Sequence, residues 1–103
     1  MQQQNQSLEK HIEELQLAVG ERLKLLRIAR VGHGTSEYRV AKSLGFADTT
    51  IYKIETGSSL PTRRTLRSLK ETYQLTNQEF NDLIRETERI RRLKKQLKES
   101  RGY

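Results

Sequence analysis

Apolar residues recur at steps of three and four along almost the whole chain. The first series is Leu8, Ile12, Leu15, Val19, Leu23 and Leu26, which lays one apolar stripe on a helix from about Ser7 to Arg30. Gly20 falls inside that helix, where a glycine costs about 1 kcal/mol relative to Ala, so the helix is either continuous or broken there. Gly32-His33-Gly34 ends it. Thr35 or Ser36 is placed to cap a short helix from Glu37 to Leu44, lined by Val40, Ala41 and Leu44 and closed by Gly45. Asp48 opens another, with Ile51 and Ile54 inward and Gly57 at its end. Ser58-Ser59-Leu60-Pro61 reads as a turn. Thr62 caps a helix carrying Leu66, Leu69 and Tyr73. Thr76 caps the last, with Phe80, Leu83, Ile84, Ile90, Leu93 and Leu97. No stretch alternates with period two, so the expected fold is all-α with five helices, the two terminal ones longer than a minimal core needs.

Composition narrows the chemistry. At 103 residues the chain makes one domain, without room for a cleft between two. It has no Cys, which excludes disulfides, thiolate zinc sites and cysteine nucleophiles. His11 and His33 lie far apart in sequence, and no metal site is expected. Met1-Gln2-Gln3-Gln4-Asn5-Gln6 is too polar for a signal peptide, and no apolar run approaches the ~20 residues that span a bilayer. A cytoplasmic protein is expected. No nucleophile–base pair or paired carboxylates emerge, and Glu13-Glu14 and Glu86/Glu88 read as solvated helix faces, so no enzymatic activity and no cofactor are expected.

The net charge is +7, from 20 basic and 13 acidic residues. A polyanion is the natural partner to consider. The charge is uneven: residues 1–16 are acidic on balance, whereas residues 62–78 carry Arg63, Arg64, Arg67 and Lys70 against Glu71 alone. A basic run is often just a solvated helix face, but here the bases flank one motif.

That motif runs from Ser36 to Gly57: a short helix, a tight turn at Gly45, and a second short helix. It has the layout of a helix-turn-helix, whose second helix enters the major groove. Ala41 is small where the helices must cross, Gly45 can turn, and Val40, Leu44, Ile51 and Ile54 can bury. With Gly20-Glu-Arg-Leu-Lys-Leu-Leu-Arg27 before it and Leu60-Pro61 and Thr65-Leu66 after it, residues 17–84 resemble the Cro/repressor-type, or xenobiotic-response-element-like, regulators of bacteria and phages.

The resemblance implies roles. Asp48, Thr49, Tyr52 and Lys53 would read base edges: Lys53 donating to guanine, Asp48 accepting from cytosine, Thr49 touching a thymine methyl. Arg39, Lys42, Thr50, Thr56, Arg63 and Arg64 would contact phosphates. Arg27 and Glu55 would form an internal ion pair. Three departures stand out. Glu37 occupies a position often held by Gln and would repel a phosphate. Ala47 replaces a capping Ser or Thr, so Asp48 would cap instead. The link Arg30–Thr35 is about three residues longer than usual, and His33 in it reads as an ordinary loop histidine.

The chain then divides into an N-terminal extension (1–16), the helix-turn-helix domain (17–84) and a C-terminal extension (85–103). Leu83, Ile90 and Leu97 recur every seven residues. With Leu93, and with Leu8, Ile12 and Leu15 at the other end, they form stripes that reach beyond the central core. Their opposite charge suggests that they pack together across a two-fold axis in a homodimer, suited to a palindromic site on double-stranded DNA. The rival reading makes Arg89 to Lys98 a basic arm along phosphates. The expected function is a dimeric, sequence-specific transcription regulator, most often a repressor. The alternatives are an antitoxin that also binds a toxin, and a protein–protein adaptor with this fold. Control would come through concentration, a peptide or a partner protein such as a toxin or an anti-repressor, and no small-molecule inducer is expected.

Overall fold

Ser36, Thr62 and Thr76 each stand where a helix begins. Ser36 Oγ accepts from the Arg39 N–H (3.2 Å), Thr62 Oγ1 from the Thr65 N–H (3.1 Å) and Thr76 Oγ1 from the Glu79 N–H (3.1 Å). Glu79 returns the favour by accepting from the Thr76 N–H at 2.9 Å, a reciprocal capping box. In the computed structural model, which describes residues 2–100, these caps open α2 (Glu37–Ser43), α4 (Arg63–Thr72) and α5 (Asn77–Ser100); α1 (Gln2–Arg30) and α3 (Thr50–Glu55) complete the described elements. The outermost parts of the two extensions, residue 1 and residues 101–103, lie outside the described residues. No helix is long and apolar enough to cross a membrane among them.

α1 is unbroken through Gly20, and the glycine has a reason. A Cβ there would run into the Ile54 carbonyl oxygen and lie 2.8 Å from that of Glu55. The end of α3 therefore docks directly on the α1 backbone. The core consists of Leu23, Val40, Ala41, Ile51, Leu66, Leu69, Tyr73, Leu83 and Ile90, none more than 2% exposed.

α1 and α5 run antiparallel, since Arg30 pairs with Glu79 at 2.9 Å while Arg22 lies 4.0 Å from Asp82. They form the long axis of a molecule 46 Å in its greatest extent, close to the ~43 Å of a 29-residue helix. This corrects the oligomerisation assignment. Leu8, Ile12, Leu15, Leu83, Ile90, Leu93 and Leu97 do pack together, but within one chain: Ile12 and Leu97, near the two far ends, are only 5% and 9% exposed. The central core need not stretch to cover these stripes, because two long helices cover each other. The divisions expected at 16/17 and 84/85 fall inside continuous helices.

Arg30 joins three helices. Besides Glu79, its guanidinium donates to the Gln74 carbonyl at 3.0 Å, just beyond α4. Cations suit the carbonyl end of a helix, so this side chain fixes the end of α1 against the α4–α5 corner.

Candidate functional site

The site is built on the contact of two short helices. Ala41 is fully buried where α2 meets α3. α2 stops at Ser43 with Leu44 as its C-cap, one residue short of the expected end. Gly45 follows at φ +71°, a left-handed turn that favours glycine, and the Phe46 N–H returns to the Ala41 carbonyl at 2.9 Å. α3 then starts at Thr50. Asp48 does not cap it, which corrects that expectation: no side chain caps α3 at Thr49, and its entry is a backbone turn in which the Thr50 N–H donates to Ala47 at 3.0 Å. The Asp48 carboxylate is left exposed without a partner among the described residues.

α3 is sharply two-sided. Ile51, Ile54 and Glu55 are buried. Tyr52 and Lys53 are exposed, as are Asp48 and Thr49 just before them, and none of these four side chains has a partner among the described residues. Around α3 stand the exposed Arg39, Lys42, Arg63 and Arg64 and the half-buried Thr50. Residues 18–83 match the family described as a helix-turn-helix domain. The chain belongs to that family, in its Cro/repressor-like branch. Comparison with curated proteins and with solved structures gave no match. In DNA-binding members of this fold the second helix of the motif, which corresponds to α3, is the one that enters the major groove.

The rim of this helix-turn-helix is not uniformly available. Arg39 and Arg64 have unpartnered side chains among the described residues. Lys42 Nζ lies 3.2 Å from the Tyr38 hydroxyl and 5.4 Å from the centre of its ring. Arg63 is engaged by Glu88 of α5, a pair half open to solvent. Thr56 departs from its expected role. Its hydroxyl donates back to the Tyr52 carbonyl (2.9 Å) at the end of α3, so that proton is not offered to a phosphate. Arg67, one turn beyond Arg63 and Arg64 on α4, is exposed and unpartnered among the described residues. It belongs to the basic run of residues 62–78, which was the available signal for it.

Beneath α3, Arg27 and Glu55 form the expected ion pair. Arg27 Nε donates to Glu55 Oε2 at 2.7 Å and Nη2 to Oε1 at 3.0 Å, with both residues 5% exposed. The hydrogen bond to Glu55 raises the Arg27 pKa further, outweighing the opposing effect of burial. Two more partners were not foreseen. Arg27 Nη1 donates to the Thr35 carbonyl at 2.6 Å, which ties the long α1–α2 link back to α1. Glu37 Oε1 sits 3.5 Å from Arg27 Nη2. Glu37 therefore turns toward this internal cation, and it is not a free acid set against phosphate. His33 stays exposed in the link without a partner among the described residues. Tyr73 is fully buried; burial holds its phenol well above the ordinary value, with nearby Glu55 adding to the effect, and its hydroxyl has no partner among the described residues.

Proposed function

We propose that this helix-turn-helix reads a short sequence of double-stranded DNA through the outer side of α3, and represses transcription by occupying it. The observation that carries the reading is the two-sidedness of α3: Ile51, Ile54 and Glu55 anchor it while Asp48, Thr49, Tyr52 and Lys53 stay exposed and uncommitted. Lys53 suits guanine O6 or N7, Asp48 the cytosine amino group, and Thr49 a thymine methyl, with Tyr52 beside them. Arg39, Lys42, Thr50 and Arg64 serve as phosphate anchors that set register without reading sequence. Arg63 joins them when it leaves Glu88. Each chain reads one half-site. Two chains on a palindrome place their α3 helices about 34 Å apart. With the terminal stripes buried, Leu17 and Leu25 are, among the described residues, the large apolar side chains exposed on α1 to hold such a pair.

Selection from a random duplex library, followed by titration of variants, tests the reading. The full chain is expected to enrich one motif. Lys53→Ala should relax one base pair at a cost of about 1–3 kcal/mol, while Arg64→Ala should weaken all sequences alike. No enriched motif, or an equal loss on selected and random DNA for Lys53→Ala, would sink it.

A further inference from the structure

We infer that the DNA contact does not end with the helix-turn-helix but continues along one stripe of α5, through Lys95 and Lys98, onto the backbone flanking the site. This rests on the reading of α3 and α4 as the DNA-facing side. Two contacts tie the middle of α5 to the entrance of α4. Glu88 pairs with Arg63, and Arg91 donates to the Pro61 carbonyl at 2.5 Å. Residues 88, 91, 95 and 98 are spaced three, four and three apart, so they share one side of the helix. The side of α5 that faces the α4 entrance therefore runs on as Lys95 and Lys98. Both lysines are exposed and neither has a partner among the described residues.

The other side of α5 is spent. Leu83, Thr87, Ile90 and Leu97 are buried, so the helix cannot turn this stripe away without losing its packing on α1. The chemistry matches a phosphate row. From residue 88 to residue 98 α5 rises about 15 Å, comparable to the length of DNA axis taken up by about four base pairs at 3.4 Å each. Arg64 and Arg67 of α4 carry further cations without a partner among the described residues, beside the same entrance. Two acids share this side: Glu88, which Arg63 already answers, and the exposed Glu99 beside Lys98 at the far end, so Lys95 and Lys98 outnumber the one acid that Arg63 does not hold.

The test compares the full chain with Lys95→Gln/Lys98→Gln, on a duplex trimmed to the selected motif and on one extended by five random base pairs at each end. A charge-matched control, Lys24→Gln/Arg89→Gln, removes two cations elsewhere; Lys24 lies on α1, and the register places Arg89 on another side of α5. The full chain and the control are expected to bind the extended duplex more tightly and with a steeper salt dependence. The stripe variant should lose that gain while keeping the same preferred motif. Two lost phosphate contacts correspond to a slope shallower by about 1.8, roughly a tenfold smaller loss of affinity between 50 and 200 mM salt. No gain from length in the full chain, or an equal loss in the control, overturns the inference. A chain that selects no motif, yet binds a random duplex more tightly when it is lengthened by five base pairs at each end, and only with Lys95 and Lys98 intact, overturns the function of α3 and leaves this surface standing.

Discussion

Arg63, in the first turn of α4, is held by a carboxylate of its own chain: its Nη2 donates to Oε1 of Glu88 on α5. The pair is well exposed, at 56% and 42% of the two side chains, and such pairs contribute about 0–1 kcal/mol to stability. On the proposed reading its greater effect is on DNA binding, because Arg63 would exchange Glu88 for a phosphate. Glu88→Gln is expected to raise affinity several-fold on selected and random duplexes alike and to leave the thermal midpoint nearly unchanged. Paired titrations at fixed salt check this. A fall in affinity would show that Glu88 aims Arg63 at the backbone.

Arg27 supports α3 from below. Arg27→Met leaves Glu55 buried without its cation, and removal of one member of a buried pair costs about 3–5 kcal/mol. That is a large share of the 5–15 kcal/mol that stabilises a typical domain. Urea unfolding should show this loss. Adding Glu55→Leu should restore part of it, since the stranded charge goes too.

Gly20→Ala improves local helix propensity by about 1 kcal/mol but sets a methyl group against the carbonyls of Ile54 and Glu55. Backbone oxygens at the end of a packed helix cannot step aside as a flexible side chain can. Overpacking of this kind costs about 1–3 kcal/mol, so a net destabilisation is expected in denaturant melts. Unchanged stability would mean that α3 can move off α1.

The Glu79 carboxylate is held below its ordinary value of 4.5, first by the Thr76 N–H and then by Arg30. A depressed carboxylate contributes its stability above the unfolded value and loses it as pH falls through the folded one. The stability gap between the full chain and Glu79→Gln should therefore be constant well above pH 4.5 and close in more acidic solution. A gap that ignored pH would assign the effect of the substitution to shape.

Tyr73→Phe removes a buried hydroxyl that no described residue satisfies. An unsatisfied buried polar group costs about 1–3 kcal/mol, so stability should hold or rise. A clear drop in the melting midpoint would reveal a hydrogen bond to that hydroxyl.

Features written in short stretches of chain were legible in the sequence. Ser36, Thr62 and Thr76 are caps because a hydroxyl meets an N–H two or three residues on, and Ile51 and Ile54 are buried because helical periodicity puts them on one side. Arg27 with Glu55 came from resemblance to a family. What could not be read depends on which distant pieces of chain meet. Gly20 looked like a local weakness because its purpose lies at Ile54, on another helix. Glu37 looked like an acid facing phosphate until the folded link brought it beside Arg27. The apolar stripes at the two ends were visible, but a stripe does not reveal whether its partner lies in the same chain. The Thr56 hydroxyl is spent on the Tyr52 carbonyl at the end of α3, and the Asp48 carboxylate is left free because a backbone turn opens that helix.

The division of α3 has an evolutionary consequence. Its six residues separate those that hold the helix in place from those that face outward. Tyr52 and Lys53, and Asp48 and Thr49 ahead of them, are exposed, whereas Ile51, Ile54 and Glu55 carry the packing. On the proposed reading, new recognition properties can therefore arise by drift at a handful of positions, with little need for compensating change in the scaffold, and duplicated copies of such a gene would diverge in target while keeping one architecture.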